Sequence, residues 1–360
     1  MDVDGLQIVP LRVPERMADD DGTFADMVRL RNETEDFALG TDVLAVDAPR
    51  LLAEYSDPYS DHRVLLGLFD GHVVGRVFLE LPQEAGSRLA VVEAEVNAEV
   101  RGRGIGSALL AAGETVAEEH GRDIRQAWVV HRAVREGDAA LQPPTGFGRL
   151  PADDPGVRFL QRHGWRLEQI YRISLLDLPA AADATRAALA RGSAGAGDDY
   201  EAVVWAGPSH EEHLGDLAVL MARMATDAPQ AGMAVDEEEW TAERYRTMEH
   251  LAAEAGILTV TSAVRHRGSG RLVAFSYVSI PEDRTRPADH GDTLVLAEHR
   301  GHRLGLLVKA ALHDAIPGHS PTTRLITTFN AEENRYMLDV NEALGYVPIG
   351  YQGVWEKRTR

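Results

Sequence analysis

Two stretches of this chain carry residue types spaced for holding phosphate. The first runs from Val96 through Ala98, Arg101, Gly102, Arg103, Gly104 and Ile105 to Gly106. The second runs from Val295 through Ala297, Arg300, Gly301, His302, Arg303 and Leu304 to Gly305. Each follows a short apolar segment and opens a helical run. A strand that turns through arginine and glycines into a helix aims free backbone N–H groups, and the positive end of the helix dipole, at one spot. That spot suits phosphate. The spacing differs from the Walker loop, which ends Gly-Lys-Ser/Thr, and from the dinucleotide fingerprint Gly-x-Gly-x-x-Gly.

Acid–base chemistry has candidates just before each loop. Glu93 and Glu95 are two apart and share one side of a strand, and Asp292 takes the place of Glu93 when Arg101 and Arg300 are aligned. A carboxylate there suits a general base; the competing reading is a solvated strand-end acid. Asp289 and His290 are alternatives, the histidine being suited to neutral pH. His299 and His302 have no third ligand at matching spacing, so no metal site is expected. Trp240, Tyr245 and Met248, on one expected helix, would pack or line a substrate groove.

The 360 residues contain no cysteine, which excludes disulfides, a thiolate nucleophile and cysteine zinc sites. The formal net charge of -20 argues against nucleic acid and eases the approach of cationic substrates, although solubility alone would also account for it. There is no signal peptide, and no apolar run approaches the ~20 residues of a membrane span, so a cytoplasmic protein is expected.

Elements able to position these residues recur in both halves. Hydrophobic periodicity predicts a strand over 6–13, helices over 24–39 and 48–55, and a hairpin turning at Asp70 and Gly71. A strand over 89–96, the loop, a helix to 120, a strand over 124–130, a helix over 156–162 and a strand over 165–176 follow. The second half repeats the order. Strand 201–205, helices 213–224 and 237–255, hairpin strands 258–264 and 272–280, and strand 293–296 lead to the loop; helix 304–315, strand 324–328, helix 334–344 and strand 346–355 complete it. Repetition of one unit is strong evidence about fold. The expected domains are 1–178 and 200–360, joined by a 179–199 linker. The 180–191 part of that linker is helix-forming in composition and its Gly/Ser part flexible. An insertion over 133–154, with Gln142, Pro143 and Pro144, interrupts the first half.

With Arg101, Gly104 and Gly106 at its defining positions, the first loop resembles motif A of the GCN5-related N-acetyltransferases (GNAT), Gln/Arg-x-x-Gly-x-Gly/Ala. The second keeps Arg300 and Gly305 but has Arg303 at the middle glycine. The resemblance implies an α/β fold of two tandem GNAT domains, each a mixed, mostly antiparallel central sheet flanked by helices. It implies that residues 101–106 and 300–305 hold the pyrophosphate of acetyl-CoA, and that Val96, Ala98, Val295 and Ala297 contact its pantetheine and thioester. Arg303 would keep its backbone N–H and could reach a phosphate with its guanidinium. The family's last helix carries an asparagine for the cofactor and a tyrosine that protonates the thiolate. Asn334 stands at the first of these positions and Asn341 at the second, with Asn330 and Tyr336 nearby; in the first half the two positions hold Asp153 and Leu160.

The two-unit arrangement also resembles actinobacterial mycothiol synthase-like acetyltransferases, whose carboxy-terminal unit does the chemistry. The expectation is therefore an acetyl-CoA-dependent N-acetyltransferase acting on a primary amine of a small molecule, a metabolite or an antibiotic. Its catalytic second half would use Asp292 as base and no dedicated tyrosine acid, and it would be a monomer or homodimer without metal, membrane or nucleic-acid partners. Glu93 is the corresponding carboxylate of the first half, which would bind cofactor or serve as scaffold. The alternatives are a protein lysine or amino-terminal acetyltransferase and a non-catalytic acyl-CoA sensor.

Overall fold

The computed structural model describes residues 3–227 and 229–359. The elements are β1 (Leu6–Pro10), α1 (Thr23–Leu39), α2 (Ala48–Tyr55), β2 (Ser60–Phe69), β3 (His72–Pro82), β4 (Leu89–Val96), α3 (Ile105–Glu119), β5 (Ile124–His131), β6 (Ala140–Leu141), β7 (Leu150–Pro151), α4 (Pro155–Arg162) and β8 (Arg166–Asp177). They continue with α5 (Ala182–Ala196), β9 (Tyr200–Ala206), α6 (Glu211–Asp227), α7 (Ala242–Glu254), β10 (Leu258–His266), β11 (Leu272–Ile280), β12 (Ala288–Val295), α8 (Leu304–His319), β13 (Leu325–Ala331), α9 (Arg335–Leu344) and β14 (Val347–Arg358).

Two compact units result. The first holds Met1–Tyr171, Gln230–Asp236 and Gly350–Arg360, and the second holds Arg172–Pro229 and Glu237–Ile349. This division differs from the sequence expectation at the carboxy terminus. The end of β14 pairs antiparallel with β5, from Tyr351 opposite His131 to Arg358 opposite Ile124, because the outer edge of β5 would otherwise carry unpaired backbone groups. Trp355, fully buried, packs in the first unit's core.

In the first unit β1 to β5 lie in chain order, antiparallel except for β4 with β5. Asp70 and Gly71, at φ 50° and 78°, form the expected hairpin turn. One core packs α3 against the sheet through Val77, Val92, Leu109 and Leu110, and another packs α1 and α2 through Phe24, Met27, Leu51 and Tyr55. The 133–154 insertion forms a small hairpin of β6 and β7.

The second unit repeats this plan with β9 to β13, the pair β12/β13 being parallel. Leu306, Ala310, Leu312 and Ile316 of α8 pack with Val260, Val278 and Ala288, while Leu214, Leu217 and Tyr245 of α6 and α7 pack with Ala263, Phe275 and Leu294.

Residues 179–199, read as a linker with a flexible end, instead supply α5, whose helix runs through Gly192 and Gly195. A Cβ at Gly192 would fall 2.8 Å from Leu307 Cα, and one at Gly195 would fall 2.9 Å from Arg303 Cδ. Absent side chains on this face let α5 lie directly on α8, and that packing outweighs the helix cost of glycine. Similarly, β12 begins at Ala288 and not near 293; Asp289, Gly291 and Asp292 mask its period in the sequence. Helix α7 begins at Ala242 and not at 237, with Thr241 as its N-cap accepting from Arg244 N.

Candidate functional site

Parallel pairing ends early in both units. It stops at Val91 opposite Gln126 in the first and at His290 opposite Thr328 in the second, whereas pairing with the neighbouring antiparallel strand continues to Val96 and to Val295. Each unit therefore has a cleft where two parallel strands splay, edged by backbone groups with no partner in the facing strand.

Each cradle lies at the end of this cleft. Gly102 and Gly104 have φ 81° and 86°, and Gly301 and Arg303 have φ 90° and 54°. Arg303 thus adopts the left-handed conformation of the glycine it replaces, a strained choice for a side-chain-bearing residue. Its stem lies against Gly195 of α5, which supports this backbone. In both loops the arginine braces the turn: Arg101 Nε donates to Val96 O at 3.0 Å, and Arg300 Nε donates to Val295 O at 3.2 Å. Arg300 also pairs with Asp227 at 2.7 Å. The first helical bonds are Ala108 N to Gly104 O and Leu307 N to Arg303 O, both 3.0 Å, so the N–H groups of Ile105 and Gly106, and of Leu304 and Gly305, precede any helical acceptor. Gly102 and Gly301 have open space where a side chain would stand. Arg103 and His302 are exposed on the loops, and Ala98 and Ala297 begin short 3-10 turns. These features fit a pyrophosphate and an extended acyl arm.

The carboxylates differ between units. Opposite Tyr277, strand β12 carries a bulge: Ser276 faces Thr293 but Val278 faces His290, so Gly291 and Asp292 share one partner. Tyr277 donates its hydroxyl to Asp292 Oδ2 at 3.4 Å. Burial first, then the nearby charges of Glu238 and Asp289, raises the Asp292 carboxyl to about 6, while the Tyr277 hydrogen bond opposes the shift. Tyr245 lies close enough for the charge of Asp292 to contribute to its raised pKa. The corresponding strands of the first unit, β3 and β4, keep one unbroken register. There Glu93 accepts a hydrogen bond from Trp128 N at 2.9 Å, just beyond the last paired residues, so its side chain spans the splay. Burial and Glu95 raise Glu93 to about 8. Glu95 itself is paired with buried Arg76 at 2.7 Å.

The residues matched to the family's last helix have distinct partners. Asn334 caps α9, its Oδ1 accepting from Met337 N at 3.3 Å. Tyr336 is exposed and lies over the cradle; a Cβ at Gly305 would fall 3.4 Å from its hydroxyl. Asn341 is buried and donates to Asn330 Oδ1 at 2.5 Å. Behind it is Lys309, which sequence reasoning passed over although a lysine and a histidine four apart, Lys309 and His313, interrupt the apolar face of α8. Tyr277 was also missed, because its role depends on the bulge. Among the described residues, no cluster of three or more histidines, cysteines or carboxylates is placed to hold a metal ion. Among the same residues, no helix is long and apolar enough to cross a membrane.

Residues 25–137 match the Acetyltransferase (GNAT) family. The chain is similar to a tandem GNAT protein from the clavulanic acid biosynthesis pathway, solved without acetyl-CoA: identity is 26%, 98% of each chain is covered, and the TM-score is 0.75. It shares its fold with a GCN5-related N-acetyltransferase from Sphaerobacter thermophilus at 15% identity, covering 99% of this chain and 96% of that one with a TM-score of 0.60. No curated protein matches it. Residues 25–137 thus carry a GNAT family domain, and the chain as a whole, with its duplicated splayed sheet and cradle, has the fold of a tandem GNAT protein, a fold of acyl transfer.

Proposed function

We propose that the protein transfers an acetyl group from acetyl-CoA to a primary amine of a small molecule, and that the second unit performs the reaction. The observation that carries this reading is the β12 bulge. It sets a carboxylate with a pKa of about 6, held by Tyr277, beside a splayed strand pair that ends in a phosphate cradle. Such a group is largely ionised at neutral pH yet basic enough to accept a proton.

Val295 and Ala297 would align the acyl arm, and Leu304 and Gly305 would bind the pyrophosphate with their N–H groups. Asp292 takes a proton from the attacking nitrogen. The new C–N bond forms as the thioester C–S bond breaks; sulfur keeps the electron pair and gains a proton, giving an amide and a free thiol. Glu238, Asp289 and Asp292 together favour an acceptor that arrives as a cation. The first unit, whose Glu93 spans its own splay, would act as a scaffold that retains a cradle.

Two measurements test this reading. Calorimetric titration with acetyl-CoA should show binding, and thiol release should appear with some members of an amine library. Absence of binding at millimolar cofactor would remove the reading altogether. Binding without release from any amine would favour an acyl-CoA sensor, and release only with peptides would favour a protein acetyltransferase.

A further inference from the structure

Beneath the β12/β13 splay, the core of the second unit contains a polar network that the fold does not need. Lys309 is 1% exposed and donates to Asn341 Oδ1 at 2.7 Å. Asn341, 2% exposed, donates in turn to Asn330 Oδ1. Around Lys309 stand the ring of Tyr346, 5.5 Å away, and the histidines His290 and His313, which are 3.2 Å apart. Among the described residues no carboxylate pairs with the ammonium, and burial lowers Lys309 to about 7.

The first unit provides an internal control. With the two cradles, and then Gly164 and Gly345, aligned, Lys309 corresponds to Leu110, Asn341 to Leu160 and Tyr346 to Trp165. All three counterparts are buried in an ordinary apolar core. The same fold thus closes over hydrocarbon at these places. Burying a lysine there is costly, and such groups persist where they serve something other than stability.

The orientation of the chain is fixed by chemistry. As an ammonium Lys309 has donors only, so the Asn341 carbonyl faces it and the Asn341 amide N–H points onward. Asn330 accepts that bond through its own carbonyl, which leaves its NH₂ as the terminal donor, with no partner among the described residues. Asn330 is half-exposed and lies past Thr328, where pairing with β12 has ended.

We propose that Lys309, Asn341 and Asn330 form a charge-polarised hydrogen-bond chain that presents the Asn330 N–H to the sulfur of the acyl donor and stabilises the departing thiolate. The chain moves no proton. Sulfur keeps the C–S electron pair and takes its proton from water, while the proton of the amine leaves through Asp292. Asn330 is the catalytic residue, whereas Lys309 and Asn341 position and polarise it. A thiolate in the cleft would in turn favour the charged form of Lys309. The inference rests on the acyl-CoA reading of the second unit.

The test is the thiol pKa of bound CoA, followed by thiolate ultraviolet absorbance, which requires neither turnover nor an acceptor. One variant is Asn330→Ala at the half-exposed end of the chain. The other combines Lys309→Leu with Asn341→Leu, reproducing the pair that already packs in the first unit. Both should still bind CoA through the cradle, and both should show a thiol pKa higher than wild type by about one unit, the lower end of what a nearby positive charge does. An equal thiol pKa in all three proteins would overturn this inference alone. No CoA binding to the wild type would overturn the acyl-CoA reading and the inference with it.

Discussion

Tyr277 fills the space that a side chain at Gly291 would need. A Cβ at Gly291 would fall 2.3 Å from Tyr277 Cζ and 2.6 Å from its hydroxyl oxygen. The bulge, the missing side chain and the phenol are one device, and together they decide where the Asp292 carboxyl stands.

Gly291→Ala should therefore displace Tyr277, costing about 1–3 kcal/mol of stability from overpacking and reducing turnover at the same time. Thermal unfolding and steady-state kinetics on the same sample would check it. An unchanged kcat in a folded Gly291→Ala protein would disconnect the bulge from catalysis.

Asp292→Asn should lower kcat by about 100-fold or more, the usual worth of a positioned base. Because the base works ionised, wild-type activity should rise with pH through about 6, and that limb should vanish in the variant. Tyr277→Phe removes a hydrogen bond that lowers the Asp292 pKa, so its limb should move to higher pH. Tyr336→Phe should cost little, since Tyr336 lies over the cradle; paired pH–rate profiles separate the three.

The cradles should be unequal. Gly305→Glu places bulk and like charge where N–H groups would meet pyrophosphate, and turnover should collapse. The matching Gly106→Glu should leave most of it. The reverse pattern in steady-state kinetics would move the active site to the first unit.

The contact of α5 with α8 predicts a contrast between two helical glycines. Gly192→Ala meets the Leu307 backbone and should destabilise, whereas Gly215→Ala, with nothing within 4 Å, should stabilise the protein. The gain at Gly215 should be about 0.5–1 kcal/mol. Chemical denaturation of both variants would show it.

Lys309 gives a pH signature. Its folded pKa of about 7 lies below the ordinary 10.5, so burying it carries no ionisation penalty above 10.5, and stability is lost as pH falls from there through about 7. His313, held at about 3 by burial and by Lys309, and His290, also lowered, act in the same direction at lower pH, and the Tyr346 phenol is raised out of this range. The Tm of the Lys309→Leu, Asn341→Leu protein should exceed that of wild type most near neutral pH and converge with it toward 10.5. A constant difference across that range would show that Lys309 is not the group responsible.

The duplicated cradle, the hairpin at Asp70 and Gly71 and the order of elements in each half were readable from residues alone, because turn chemistry and hydrophobic period are local. Asp292 was also visible as a carboxylate aligned with Glu93. What separated the two was not local. A one-residue change of register across β11 and β12 sets Asp292 against Tyr277, while the regular β3/β4 ladder leaves Glu93 bridging to Trp128. The sequence equally showed an asparagine at position 341 in place of a tyrosine, but its partner Lys309 lies on another helix and only packing brings them to 2.7 Å. Tertiary structure also placed the end of β14 beside β5 and turned a Gly/Ser-rich stretch into a packed helix. Sheet edges and helix faces choose their partners by long-range burial and backbone pairing, which no window of neighbouring residues contains.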